Sequence, residues 1–274
     1  MTEQNIHRAW GPEPRYPTVA SIERSTASEM IAIAGPCSVE SKKQIEEIAR
    51  VVADAGCKYF RGGTFRAGTY PPAAFGLVRH LRDYMAEAAV KHGLKTVMEV
   101  FDVRQIEDSP ADVLQVGARR MQDYVLLNEL SKQKRPVILK RHMGSTLAEF
   151  LGAAEYLVRG GKRNVWLMER GSSTHMTHVR WDLSVSVIAM LKQTTGLPVL
   201  VDASHGSGRR DLVLPLTLAG IAAGADGYMV ETHLQPERSL SDAEQAYPLK
   251  DYPALHAEVL ALWQFYKPKR RRTV

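Results

Sequence analysis

Short, almost purely apolar runs recur along this chain at 30–36, 59–65, 95–100, 113–118, 136–141, 164–169, 198–204 and 227–233. They are rich in Val, Ile and Leu with little polar alternation, as expected of parallel strands covered on both faces. Between them lie stretches of helical spacing at 42–55, 73–92, 103–108, 121–132, 146–159, 182–194 and 211–223, with a last one at 253–266. Eight strand–helix units predict an α/β protein, a (β/α)8 TIM barrel forming one domain over 29–266. An open doubly wound sheet is the structural competitor, although it more often has about five to seven strands. Residues 1–28 are polar and proline-containing and predict a short N-terminal extension.

Composition narrows the setting. A chain of 274 residues with 45% hydrophobic content can bury a substantial core. No run approaches membrane-spanning length, and residues 1–10 show no signal-peptide core, so the expectation is a soluble, cytoplasmic protein with no membrane partner. Cys37 and Cys57 are too few for a disulfide framework. The net charge is +6, but Lys267, Lys269, Arg270, Arg271 and Arg272 supply five of those charges and leave the body close to neutral. The charge therefore gives no reason to expect nucleic acid as a partner; residues 267–274 read as a solvated, disordered basic tail.

A barrel places its chemistry at the C-terminal ends of its strands. Those ends carry Cys37, then Arg61 and Arg66, Glu99, Arg119, Lys140-Arg141, Glu169-Arg170, Asp202-Ala-Ser-His205 and Glu231-Thr-His233. Charged residues are disfavoured in buried strands unless paired or ligand-bound, so their recurrence at one end argues for a shared polar site. Arg61, Arg119, Lys140 and Arg170 on one mouth would repel one another unless a compact polyanion lay between them; separate ion pairs to loop carboxylates are the plainer alternative. Cys37, His205, Glu231 and Asp242 form a second set, whose mixed softness suits Mn, Fe, Co or Zn over Mg or Ca. Barrel closure would bring the first, seventh and eighth strands together. Taken singly, His205 reads equally well as a satisfied loop histidine and Cys37 as a small core residue. Cys57 reads as packing at a helix–strand connection, Glu99 stays outside both sets, and His233 reads as a support behind Glu231.

Seven ordered motifs carry a resemblance: Ile33-Ala-Gly-Pro-Cys-Ser-Val-Glu-Ser41, Arg61-Gly-Gly-Thr-Phe65, Gly117-Ala-Arg-Arg-Met-Gln122, Leu139-Lys-Arg141, Glu169-Arg-Gly171, Val201-Asp-Ala-Ser-His205 with Gly208-Arg-Arg-Asp211, and Glu231-Thr-His233 with Leu240-Ser-Asp242. Together they resemble type I DAHP synthases of the beta subgroup, in the superfamily that includes KDO8P synthase. The resemblance implies a transferase that condenses phosphoenolpyruvate with an aldose phosphate in a metal-dependent aldol-type reaction, releasing phosphate and forming a 3-deoxy-2-keto sugar acid. It further implies that Arg61, Arg119, Lys140 and Arg170 hold phosphoenolpyruvate, and that Lys140, His205 and Arg66 are catalytic. By the same carry-over Cys37, His205, Glu231 and Asp242 bind a divalent metal, Mn2+ first and Fe2+, Co2+ or Zn2+ as alternatives. Metal-independent KDO8P synthases resemble the pattern with asparagine at the position of Cys37. Homo-oligomers, dimers or tetramers, are the implied assembly. Members often carry an added regulatory domain; the lead-in is too short for one, so no inhibition through such a domain is expected.

The departures fall on the acceptor side. Where the family continues Lys-Pro-Arg-Thr-Ser-Pro, this chain has Arg66-Ala-Gly-Thr-Tyr-Pro71. Arg66 replaces the lysine, Gly68 replaces the arginine of the phosphate-binding Arg-Thr pair, and of that pair Thr69 remains, followed by Tyr70. Ser173 stands where a further arginine is usual, and His142 where glycine is common. Arginine cannot readily give up a proton as lysine can. Losing the fork at Gly68 removes roughly 1.5–3 kcal/mol of charged hydrogen bonding. The expectation is an altered acceptor, unphosphorylated or differently shaped, bound beside Arg66, Gly68, Thr69 and Tyr70. An ordinary DAHP synthase of the shikimate pathway and aromatic amino acid biosynthesis, using erythrose 4-phosphate with help from Arg66, Arg209 or Arg210, is the alternative. A non-catalytic barrel serving as a binding or regulatory subunit is the reading from another class.

Overall fold

A computed structural model describes residues 18–22, 29–66 and 76–270. All eight apolar runs form strands: β1 Ile31–Gly35, β2 Tyr59–Arg61, β3 Lys95–Glu99, β4 Val113–Val116, β5 Val137–Lys140, β6 Val165–Glu169, β7 Val199–Asp202 and β8 Gly227–His233. Each pairs in parallel with the next, and β1 pairs with β8 from Ile31↔Gly227 to Gly35↔Glu231, closing the sheet. The intervening helices are α1 Lys42–Asp54, α2 Arg79–His92, α3 Arg104–Asp108, α4 Tyr124–Ser131, α5 Leu147–Val158, α6 Val185–Thr194 and α7 Val213–Ala222, followed by α8 Tyr252–Arg270. The protein is a (β/α)8 barrel, and the open-sheet alternative is set aside.

Strand periodicity divides each apolar run in two. Ile31, Ile33, Val97, Val113, Ile138, Trp166, Met168, Leu200 and Met229 fill the barrel interior with Tyr59 against them. Their alternate neighbours, among them Ala34, Phe60, Leu114, Leu139, Leu167, Val201 and Tyr228, pack outward under the helices. Both faces are therefore dry, which explains why the runs carry so little alternation.

Local chemistry sets where elements start. Ser41 Oγ accepts from Gln44 N at the start of α1, and Thr146 with Glu149 forms a reciprocal capping box on α5. The run at 59–65 leaves the barrel at Arg61, because Gly63 bridges to Ser38 in the loop after β1. Phe65–Arg66 then pairs antiparallel with Gly76–Leu77, so α2 begins at Arg79, later than its helical spacing suggested. Close approach of β1 and β2 needs Gly35: its φ is +149°, and a Cβ there would lie 1.9 Å from Arg61 O. The last helix runs past position 266 to Arg270. Leu255, Val259 and Trp263 form its buried stripe at four-residue spacing, and Lys267 continues it with Nζ 4.8 Å from the Trp263 ring centroid. Lys267 thus belongs to the helix, where the sequence suggested a disordered tail.

Candidate active site

The alternation that fills the lower barrel with aliphatic side chains turns polar at its C-terminal end. Arg61, Lys140, Asp202 and Glu231 occupy inward positions, and all are buried. Lys140 and Arg141 end one strand but part company: Lys140 turns inward and Arg141 outward. Arg141 Nη1 donates to Glu169 Oε2 at 3.1 Å and to Ser172 Oγ at 2.7 Å, and its Nη2 donates to Ser145 O at 2.6 Å. Glu169 also accepts from Gly171 N at 2.8 Å. This outward pair ties the ends of β5 and β6 together behind the mouth.

Cys37, Glu231 and Asp242 come from three remote stretches, yet one ligand atom of each lies within 4.8 Å of the other two. The Cys37 thiol donates to Asp242 Oδ2 at 3.1 Å, and Gln245 Nε2 donates to Glu231 Oε2 at 2.6 Å. Asp242 has φ +49°, the one positive φ outside glycine among the described residues. Its loop is tied to the loop after β1: Ser38 and Ser241 share a hydroxyl hydrogen bond at 2.7 Å, and Leu240 N donates to Glu40 Oε1 at 2.9 Å.

His205 joins from the short helix Ala203–Ser207, which Asp202 caps by accepting from His205 N at 3.0 Å. Asp202 Oδ2 also lies 2.8 Å from His205 Nδ1, which leaves Nε2 facing the trio, 3.4 Å from Glu231 Oε1. A carboxylate holding one imidazole nitrogen so that the other is free to ligate is the usual support of a metal-binding histidine. Softness, charge and proximity fit a divalent transition metal on Cys37, Glu231 and Asp242; His205 adjoins them through Glu231 but lies outside the 4.8 Å group.

Two of the cations are bonded to carboxylates. Arg61 donates to Glu231 Oε1, and Lys140 Nζ donates to Asp202 Oδ2 at 2.5 Å with His205 Nδ1 at 3.5 Å. Two of the four cations read from the sequence therefore carry carboxylate partners, as the plainer alternative required. Arg170 is 4% exposed and its Nη1 is buried with no hydrogen-bond partner among the described residues. Arg119 lies exposed on the turn Ala118–Arg120, and the Glu99 carboxylate packs against Gly117 beside it, 1.9 Å from where a Cβ would stand. Glu99 itself accepts from Gln115 Nε2 at 3.1 Å and stays outside the donor set.

Electrostatics follow from this pairing. Burial is the largest influence on Glu231 and raises it, but the His205 and Arg61 charges outweigh burial and hold the carboxyl down at about 2. Asp202 is likewise raised by burial and pulled well below the carboxylate range by His205 and Lys140. Burial, then Glu231 and Asp242, push the Cys37 thiol well up. Burial lowers Arg170 and outweighs the Asp202 and Glu169 charges, neither of which bonds it among the described residues.

Other expectations shift. His233 does not touch Glu231; its Nε2 lies 3.3 Å from Glu40 Oε2, so it braces the loop that carries Cys37. Gly68, Thr69 and Tyr70 lie outside the described residues. Asp202, Gln245 and Arg180 bond directly to the proposed site residues and had no assigned role. Asp202 was visible in the sequence as a carboxylate three residues before a histidine; Gln245 and Arg180 carried no such signal.

Comparison with known proteins agrees in family and fold. A family model described as the DAHP synthetase I family matches residues 17–264. Phospho-2-dehydro-3-deoxyheptonate aldolase of Thermotoga maritima is 39% identical over 233 residues, 84% of this chain and 69% of that protein. A 2-dehydro-3-deoxyphosphooctonate aldolase of Nitrobacter winogradskyi is 27% identical, over 89% of this chain and 91% of its own. The structure of a truncated 3-deoxy-D-arabino-heptulosonate 7-phosphate synthase from Thermotoga maritima superposes with a TM-score of 0.80 at 35% identity, covering 95% of this chain and 96% of that one.

Proposed function

Because the chain belongs to the DAHP synthetase I family, we propose that it condenses phosphoenolpyruvate with an aldehyde, releasing phosphate and forming a 3-deoxy-2-keto sugar acid. The carrying observation is the meeting of Cys37, Glu231 and Asp242 within 4.8 Å, with Arg61 bonded directly to Glu231. A metal-ligand set and an anion-binding cation share one carboxylate, as a reaction uniting an anion with a metal-polarised carbonyl requires.

In this reading Cys37, His205, Glu231 and Asp242 hold a divalent ion, Mn2+ first. That ion would supply Lewis-acid polarisation of the acceptor carbonyl. Arg170 offers an open buried guanidinium to phosphate or carboxylate, and Arg61, Lys140 and Arg119 complete the cradle. Lys140 sits against Asp202 and His205, so a proton on this trio can be shared where the new alcohol forms. Arg66 stands at the acceptor side, in the strand Phe65–Arg66.

The acceptor is proposed to differ from erythrose 4-phosphate, because Arg66-Ala-Gly-Thr-Tyr lacks the family's Lys-Pro-Arg-Thr fork. Likeness to the Thermotoga maritima enzyme favours the ordinary acceptor instead. Of its needed replacements, Arg209 forms two bonds to Asp211, at 3.0 and 2.7 Å, and Arg210 bonds Glu237 at 2.8 Å, surface pairs that a substrate phosphate would have to displace, while Arg66 is the third. Incubation with Mn2+, phosphoenolpyruvate and a panel of aldehydes, read by phosphate release, tests both. A clear preference for erythrose 4-phosphate sinks the altered acceptor. No turnover with any aldehyde, in protein that retains no transition metal, favours the non-catalytic barrel. Assembly as a homo-oligomer is part of the proposal and is checked by light scattering.

A further inference from the structure

Trp181 stands in the loop between β6 and α6 and is met by two guanidiniums. Arg170 Cζ lies 5.2 Å and Arg180 Cζ 5.8 Å from its ring centroid. Two like charges beside one ring repel each other, so each needs its own anion. Arg180 has one: its Nη1 donates to Asp242 Oδ1 at 3.2 Å. Arg170 is buried with Nη1 open; Asp202 and Glu169 act on its charge without hydrogen-bonding it among the described residues, so the guanidinium, with the Trp181 ring beside it, keeps a donor for a ligand anion.

Asp242 is divided between two neighbours. Oδ1 takes Arg180, and Oδ2 takes the Cys37 thiol. Its φ of +49° is unfavourable for a residue with a Cβ, so outside contacts must keep the carboxylate aimed. The loop that delivers Arg180 is itself pinned, by the Ser172↔Asp182 bridge and by Arg180 N donating to Ser207 O at 2.9 Å.

We propose that Arg180 and Trp181 are positioning residues that join the two halves of the mouth. Trp181 holds the Arg170 guanidinium for the substrate anion, and Arg180 holds Asp242 with its other oxygen turned to the metal-binding trio. This rests on the functional reading above.

Calorimetric titration of phosphoenolpyruvate without metal, and separately of Mn2+, into wild type, W181L, W181F, R180A and R180K tests it, with thermal unfolding confirming that each is folded. W181L, which keeps bulk without a π face, is expected to weaken phosphoenolpyruvate about tenfold and leave Mn2+ within about twofold. W181F restores most of that loss, whereas a merely space-filling Trp181 would let W181L and W181F behave alike. R180A is expected to weaken Mn2+ about tenfold and leave phosphoenolpyruvate unchanged or tighter, since a repelling charge is gone; R180K recovers part of the Mn2+ affinity. W181M carries the same test if W181L does not fold. Wild-type phosphoenolpyruvate affinity in W181L, or wild-type Mn2+ affinity in R180A, overturns this inference and leaves the functional reading standing. A wild-type chain that binds neither ligand overturns both.

Discussion

Each of the two cysteines sits in a cluster of polar groups, and the clusters differ in kind. Around Cys37 the mouth gathers full charges, Arg61, Glu231, Asp242 and Asp202, with His205 among them and Arg170 Nη1 open nearby. Around Cys57, at the connection between α1 and β2, the partners are neutral. Cys57 Sγ lies 2.5 Å from Tyr252 Oη, while Tyr228 Oη lies 3.0 Å from Tyr252 Oη and 2.7 Å from His256 Nδ1. Burial pushes Cys57 up to about 11, raises both tyrosines and lowers His256, so every member stays uncharged. A network that satisfies itself stabilises the fold. One that holds charges in strained or open arrangements is poised for a ligand.

Exchanging the sulfurs gives the widest separation. Cys37→Ser is expected to lower turnover on the order of a hundredfold to a thousandfold, about 3–4 kcal/mol, with little change in melting temperature. Cys57→Ser should leave turnover within about threefold and cost about 1 kcal/mol of stability, read by denaturant unfolding. Equal effects on both quantities would erase the distinction.

Two arginines sharpen it, one behind the mouth and one within it. Arg141→Ala strands the buried Glu169 and is expected to destabilise by about 3 kcal/mol in urea unfolding. Arg170→Ala removes a buried charge to which no carboxylate is bonded among the described residues, so stability should hold or rise while phosphoenolpyruvate affinity falls at least about tenfold, measured calorimetrically.

The smallest effects belong to acid titration. His256 is depressed in the fold, so the unfolded chain binds its proton first. Its contribution is present above the unfolded value near 6.5 and is lost as pH falls below it. Stability should fall as pH drops below about 6.5 in wild type and fall less in H256Q, by thermal unfolding. Glu231, depressed to about 2, acts in a separate window: its contribution is present above about pH 4.5 and is lost only as pH falls toward 2. Tyr228→Phe should cost about 1 kcal/mol and leave turnover unchanged.

The run of Val, Ile and Leu segments determined the barrel, because a strand covered on both faces must be apolar at consecutive positions. The strand ends, with the loop after the last one, offered Cys37, His205, Glu231 and Asp242 as candidates by residue type. Which of two adjacent charges faces the mouth was beyond the sequence. Lys140 and Arg141, or Glu169 and Arg170, are neighbours in the chain, and only the closed register assigns one to the interior and its neighbour to the helix layer. The same holds for Arg61 and Lys140, whose carboxylate partners lie 170 and 62 residues away. Pairing of that range depends on tertiary closure, since periodicity reports which side of a strand is dry and says nothing of which charge waits across the barrel.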